Sequence, residues 1–176
     1  MPRISAIETN EIPADVQEIY TEIESSFGKV PNLFKTYSHF PPLLKANWGK
    51  VKALMMQGKL SRKTKEAIAV LVSKDNSCSY CVAAHTTALK SIGVTEEEIE
   101  IIENDIEKAD FSERERALIA FARRANKDPN KITDEEFALL RKAEANESEI
   151  VEALGVMELF AAFNKFLDSL NVEIDF

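Results

Sequence analysis

Four times in the second half of this chain a helix-capping residue is followed three positions later by glutamate: Thr95 and Glu98, Ser112 and Glu115, Thr133 and Glu136, Asn146 and Glu149. In such a pair the capping oxygen accepts the N–H three residues on, and the glutamate reaches back to the cap's own N–H. Donors left over at a helix start are thereby satisfied. Each pair introduces an amphipathic run, so the pattern predicts helices near 96–106, 113–127, 134–144 and 147–170. The last run is unusually apolar between Ala153 and Phe163, as expected of a central core helix or of a subunit interface.

The first half reads the same way with different punctuation. Residues 1–12 look like an extended arm, with Ile4, Ile7 and Ile12 available to dock on a core or a second subunit. Pro13 suits a first helical turn, Val16, Ile19, Tyr20 and Ile23 follow at helical spacing, and Gly28 is a stop. Asn32 is a candidate cap for a short helix through Tyr37. Pro41-Pro42 opens a helix that Gly58 ends, and Ser61 caps another. That helix begins polar and becomes apolar on all sides through Ala67-Ile68-Ala69-Val70-Leu71-Val72, which marks it as buried. Asp75-Asn76-Ser77 is a turn, with Asn76 or Ser77 capping a helix that runs to Gly93. The closing residues Val172 to Phe176 alternate and suit an extended tail. No convincing strand competes, so the fold class is all-α.

The stretch from Leu60 to Ala69 resembles that from Phe111 to Ala120, a weak internal echo that either reflects duplication or two similarly capped helices. At 176 residues the chain suits one domain. Within it we distinguish the arm (1–12), N-terminal helices (13–59), a helical core that carries both cysteines (60–109) and C-terminal helices (110–176). A net charge of −8 without a dense basic block disfavours nucleic acid and anionic membranes as partners. No apolar run reaches signal-peptide or transmembrane character, and a cytoplasmic location is expected.

Both cysteines and one of two histidines fall in ten residues, as Cys78-x-x-Cys81-x-x-x-His85. At three and four apart on a helix they share one face, able to exchange protons or electrons. In a reducing compartment a CxxC pair reads as redox or metal chemistry. If Ser77 is the cap, Cys78 lies in the first turn, where the helix dipole favours a thiolate. Glu66 opens the buried helix before it, and a hairpin of the two helices can carry its carboxylate towards His85. In a semi-apolar pocket that carboxyl is expected to have a raised pKa and to relay protons. The bland alternatives are buried apolar cysteines, a core histidine and a first-turn glutamate. Zinc on Cys78, Cys81, His85 and Glu66 is disfavoured, because three ligands on one straight helix converge poorly. His39, beside Phe40-Pro41-Pro42, reads as structural, and Met55-Met56 read as core.

Glu66, the twelve residues to Cys78 and the CxxCxxxH motif together resemble the alkylhydroperoxidase D-like family, related to the carboxymuconolactone decarboxylases. The resemblance extends over about residues 30–170 and is nearest to a peroxidase-related branch. It includes Val30-Pro31-Asn32-Leu33-Phe34, Ser112-Glu113-Arg114 and Phe160-Ala161-Ala162-Phe163-Asn164. It implies a helical homo-oligomer, commonly a trimer or hexamer, and a thiol peroxidase cycle with a redox-active disulfide and no bound cofactor or metal. By resemblance Cys81 attacks the hydroperoxide, Cys78 resolves the sulfenic acid to a disulfide, and Glu66 and His85 relay protons. An external dithiol, a dihydrolipoyl protein in the best-known member, restores the thiols. Where alkylhydroperoxidase D carries a second histidine this chain has Tyr80, a possible hydrogen-bond donor but a poor base. The decarboxylase branch lacks the cysteine pair, which disfavours lactone decarboxylation. Besides a peroxidase, the same thiols suit a disulfide oxidoreductase or redox sensor acting on a protein, or a structural oligomer with vestigial cysteines.

Overall fold

The computed structural model describes residues 1–7 and 12–176. Among them lie nine α-helices, two short 3₁₀ turns and no strand. In chain order the helices are α1 (Ala14–Phe27), α2 (Asn32–Tyr37), α3 (Pro41–Met55), α4 (Arg62–Asp75), α5 (Ser79–Ser91), α6 (Glu96–Asn104), α7 (Glu113–Lys127), α8 (Asp134–Lys142) and α9 (Glu147–Leu170). The arm expected over 1–12 falls partly outside the described residues. Its described part crosses the end of α9, where Arg3 donates its backbone N–H to the Leu170 carbonyl at 2.8 Å.

The caps account for the helix starts. Thr95, Ser112, Thr133 and Asn146 each accept the N–H of the glutamate three residues on, and the last three boxes close reciprocally. Glu98 instead gives one carboxylate oxygen to Lys63 Nζ (3.2 Å) and to the Asp110 N–H (2.9 Å). At α2 the cap is Pro31, one residue earlier than expected. Asn32 is already helical, and its amide donates to the Glu173 carbonyl.

Helix α4 is the axis of the molecule. Every residue from Thr64 to Ser73 is buried, and α5, α7 and α9 all pack on it. Two charged residues are buried with it. Lys65 Nζ reaches Glu152 on α9 at 2.8 Å and also donates to the Gln57 carbonyl. Glu152 in turn accepts the Lys59 N–H at 2.8 Å. The chain passes this carboxylate at Gly58, whose φ is +96° and where a Cβ would lie 2.1 Å from Glu152 Oε1. The two similar segments are neighbours: Thr64 Oγ1 and Ser61 Oγ, at the start of α4, donate to Glu115 Oε1 on α7 at 2.8 and 3.2 Å.

Met55 is core, as expected, but Met56 is 41 % exposed because the helix has already ended there. His39 is exposed and bonds the Ser5 carbonyl at 2.8 Å through Nε2. No described helix is long and apolar enough to cross a membrane.

Candidate active site

The α4–α5 hairpin assembles the site. Asn76 ends α4, Ser77 turns the chain in the left-handed region (φ +62°), and the Cys78 N–H bonds the Ser73 carbonyl at 2.9 Å. Cys78 itself, extended at φ −86° and ψ 97°, is the residue that caps α5. The cap therefore falls one residue later than Ser77. Ser77 is used up by the turn, and the Asn76 amide is bonded to Asn164 (2.9 Å) and Asn126 (3.2 Å). Cys81 is the third helical residue, still within the first turn.

Both thiols are free and buried. The Cys81 S–H donates to the Cys78 sulfur, which pulls the Cys78 thiol below the ordinary thiol range against the effect of burial. The same bond, reinforced by burial, pushes the Cys81 thiol up.

His85 lies one helical turn beyond Cys81. Its Nδ1 is 2.6 Å from Glu66 Oε2, and the other Glu66 oxygen takes Arg62 Nε at 2.6 Å. Burial pushes the fully buried Glu66 carboxyl up, but His85 and Arg62 outweigh it and hold the group below its usual range. The direction is therefore opposite to the raised pKa expected from a semi-apolar pocket, because His85 and, after it, the Arg62 guanidinium one turn back on α4 both reach the carboxyl. An ionised Glu66 accepts the Nδ1–H of His85 and leaves Nε2 to exchange protons. The imidazole is further fixed by the Phe160 ring, edge to face at 4.2 Å between centroids.

These groups line a cavity of about 810 Å³. Cys81, His85, Glu66 and Arg62 stand on its wall, and Phe34, Val51, Met55, Phe160 and Phe163 make most of the rest apolar. Cys78 is behind that wall. Tyr80 also borders the cavity, but its hydroxyl faces the tail: it accepts the Leu33 N–H at 3.2 Å and donates to Asp175 Oδ1 at 2.8 Å. Burial, followed by the Asp175 charge, pushes the phenol's pKa upward. A second, polar cleft of about 490 Å³ opens where Ser77, Ser79, Asp168 and Glu173 meet.

The hairpin thus brings Cys78, Cys81, His85 and Glu66 together. Arg62, Asn164, Asp168 and Asp175 join them without having been singled out for chemistry. Arg62 was visible as an i,i+4 partner of Glu66; the other three depend on how α9 and the tail pack. Among the described residues no group of three or more His, Cys, Asp or Glu is arranged to hold a metal ion.

Residues 41–124 match the model of the carboxymuconolactone decarboxylase family. An alkyl hydroperoxide reductase of Mycobacterium tuberculosis is 36% identical over 81 residues, 46% of this chain and 24% of that protein, so the match spans about a quarter of the relative's length. A peroxidase-related protein from Ralstonia eutropha JMP134, described as an alkylhydroperoxidase AhpD core, superposes with a TM-score of 0.88 at 26% identity, covering 99% of this chain and 92% of that one. The debrominase Bmp8, solved with 2,3,4-tribromopyrrole, shares the fold with a TM-score of 0.85 at 20% identity over 98% of this chain and 91% of its own.

Proposed function

Since this chain carries a carboxymuconolactone decarboxylase family segment at residues 41–124 on an alkylhydroperoxidase D-like fold, we propose that it is a thiol-dependent peroxidase that reduces alkyl hydroperoxides. The observation that carries the reading is the cavity wall, where Cys81 stands beside an imidazole held by a buried carboxylate while Cys78 waits behind it. The Cys81 thiolate attacks the distal peroxide oxygen. The O–O bond breaks, the sulfur becomes a sulfenic acid, and the departing alkoxide takes a proton to leave as the alcohol. His85, oriented through Nδ1 by Glu66, is the donor of that proton. Cys78 then attacks the Cys81 sulfur, the disulfide forms and water leaves. An external dithiol, of the dihydrolipoyl kind, returns the two electrons. The phenylalanine-rich lining suits an organic hydroperoxide better than hydrogen peroxide. By the same likeness we propose a homo-oligomer.

Intact mass before and after brief treatment with cumene hydroperoxide tests this reading. The wild type should lose two hydrogens, and Cys78→Ser should gain one oxygen on Cys81. Cys81→Ser should lose turnover with a dithiol reductant by at least about 10³-fold. Unchanged turnover in that variant ends the proposal.

A second reading, a disulfide oxidoreductase or redox sensor for a protein partner, draws support from the polar cleft beside Cys78. Under it a cysteine variant of the pair should trap one specific partner as a mixed disulfide, and peroxide turnover should be incidental.

A further inference from the structure

Helix α5 lines the large cavity along most of its length. Cys81, Ala84, His85, Thr87, Ala88 and Ser91 all stand on the wall, the set that one face of a helix presents at steps of three and four. At 1.5 Å per residue the rise from Cys81 to Ser91 is about 15 Å. Beyond His85 the side chains on this face are small, so α5 makes a shallow floor, flanked by the rings of Phe34, Phe160 and Phe163. The volume, about 810 Å³, lies in the upper part of the range that holds a whole drug-sized ligand and exceeds what a compact alkyl hydroperoxide needs.

Burial falls along this floor. Cys81 is 2 % exposed, Ala84 and Ala88 are half-buried, and Thr87 and Ser91 are exposed. At the thiol end the Phe176 ring meets the edge of Tyr80, and both residues belong to the cavity wall. The cavity is therefore a groove, closed at the reactive sulfur and open near the end of α5. It is apolar between the two ends and carries hydroxyls at its mouth. Its charged wall groups are paired with each other, Arg62 with Glu66 at 2.6 Å and Lys29 with Asp175 at 3.6 Å. Recognition of whatever extends beyond the peroxide thus falls to apolar contact.

We propose that the substrate is a hydroperoxide on a long unbranched hydrocarbon chain with a polar end group. The chain lies along α5, with the O–O bond at Cys81 and the polar end at Thr87 and Ser91. The inference rests on the peroxidase reading for its chemistry, whereas the place of the chain stands on the groove alone. A compact or branched hydroperoxide fills only the closed end. An extended chain covers the whole floor, and each methylene it buries strengthens binding by about fourfold. The polar end belongs at the mouth, because burying it among the phenylalanines without a hydrogen-bond partner is costly.

Turnover of two hydroperoxides tests this. In the wild type kcat/KM for linoleic acid hydroperoxide should exceed that for tert-butyl hydroperoxide by about 10²-fold or more. Ala88 lies about two helical turns from Cys81. Ala88→Phe should lower the first value by about tenfold or more and leave the second unchanged, and the retained tert-butyl turnover reports an intact fold. Ser91→Trp, at the exposed mouth, should act in the same way. Equal kcat/KM for the two peroxides in the wild type, or variants that spare the long chain, overturns the inference and leaves the peroxidase reading standing. Linoleic acid hydroperoxide in solution and the same chain on phosphatidylcholine in vesicles separate two sources. Faster turnover of the dissolved acid assigns a free amphiphile, and faster turnover of the vesicle-borne lipid a bilayer source; both place the chain in the groove.

A measurement without peroxide keeps the two readings apart. Dodecanoate should protect Cys81 of the reduced wild type from iodoacetamide, read by peptide mass spectrometry, and butyrate should not. Ala88→Phe should abolish the protection. Dodecanoate that fails to protect the wild type overturns the inference. Protection that Ala88→Phe removes, in a protein that reduces no hydroperoxide, retires the peroxidase reading and leaves the groove as a site for such chains.

Discussion

Glu66 has a cation or a hydrogen-bond donor on each carboxylate oxygen, Arg62 on one and His85 on the other. A carboxyl with no solvent exposure and a single neutral neighbour would be protonated near neutral pH. The His85 imidazole and, after it, the Arg62 guanidinium reverse that outcome. The consequence for stability has a definite sign. The unfolded chain binds a proton at Glu66 at higher pH than the folded chain does, because the folded group lies below its ordinary value of 4.5. The contribution is complete above that value and is lost as pH falls through the lower, folded value. Urea unfolding of the wild type and Glu66→Gln should therefore differ by about 1–3 kcal/mol at pH 7, and the gap should narrow steadily below pH 4.5. A gap that does not change with pH would show that the ionised form is not what the fold uses. In the same variant, peroxide turnover should fall by about 10²-fold through loss of the oriented imidazole. The spacing of the two cysteines and His85 was legible because they belong to one helix. Glu66 was legible as a candidate, and its charge was not, because that depends on weighing burial against His85 across a closed hairpin and against Arg62 on its own helix.

Element boundaries follow local chemistry where the chemistry is local. The four capped helices of the second half start where their caps predict, since a side chain and an N–H three residues away need nothing else to meet. The cap of α5 moved to Cys78 because Ser77 takes up a positive φ, a decision made by the closure of α4 on α5. Gly58 shows the same non-local control. Its φ of +96° already disfavours a side chain, and the clamp of Lys65 and the Lys59 N–H fixes the Glu152 carboxylate where a Cβ would go. Gly58→Ala should destabilise the protein by about 1–3 kcal/mol, part from backbone strain and part from displacement of Glu152. Glu152→Ala, which leaves buried Lys65 without its partner, should cost about 3 kcal/mol or more. The two effects should fall short of adding, because the double variant has no carboxylate left to displace. Denaturant midpoints for the four proteins measure this, and strict additivity would assign the cost of Gly58→Ala to φ alone.

At the scale of the whole molecule, the tail closes the site. Asp175 accepts the Tyr80 hydroxyl on one oxygen and the Asn32 N–H, at 3.1 Å, on the other, with Lys29 Nζ at 3.6 Å. The Phe176 ring meets the edge of Tyr80 at 5.4 Å between centroids and carries Lys29 Nζ 4.5 Å above it. Residues 95 positions apart are joined here, and alternation of Val172 to Phe176 gave no hint of it beyond an extended tail. The tail is half-exposed and adds little to the core, so its loss should leave thermal stability nearly unchanged. The cavity wall, however, loses Asp175 and Phe176. Ending the chain at Asn171 should therefore speed modification of Cys81 by a bulky maleimide by about tenfold, the effect of removing roughly 1.4 kcal/mol of closure, a little more than one net hydrogen bond. Iodoacetamide, small enough to pass the closed wall, should gain less. Tyr80→Phe removes only the hydroxyl link and should fall between the wild type and the shortened chain. If both reagents react equally fast with all three proteins, the tail does not govern entry, and the approach to Cys81 lies along the wall between α3 and α9.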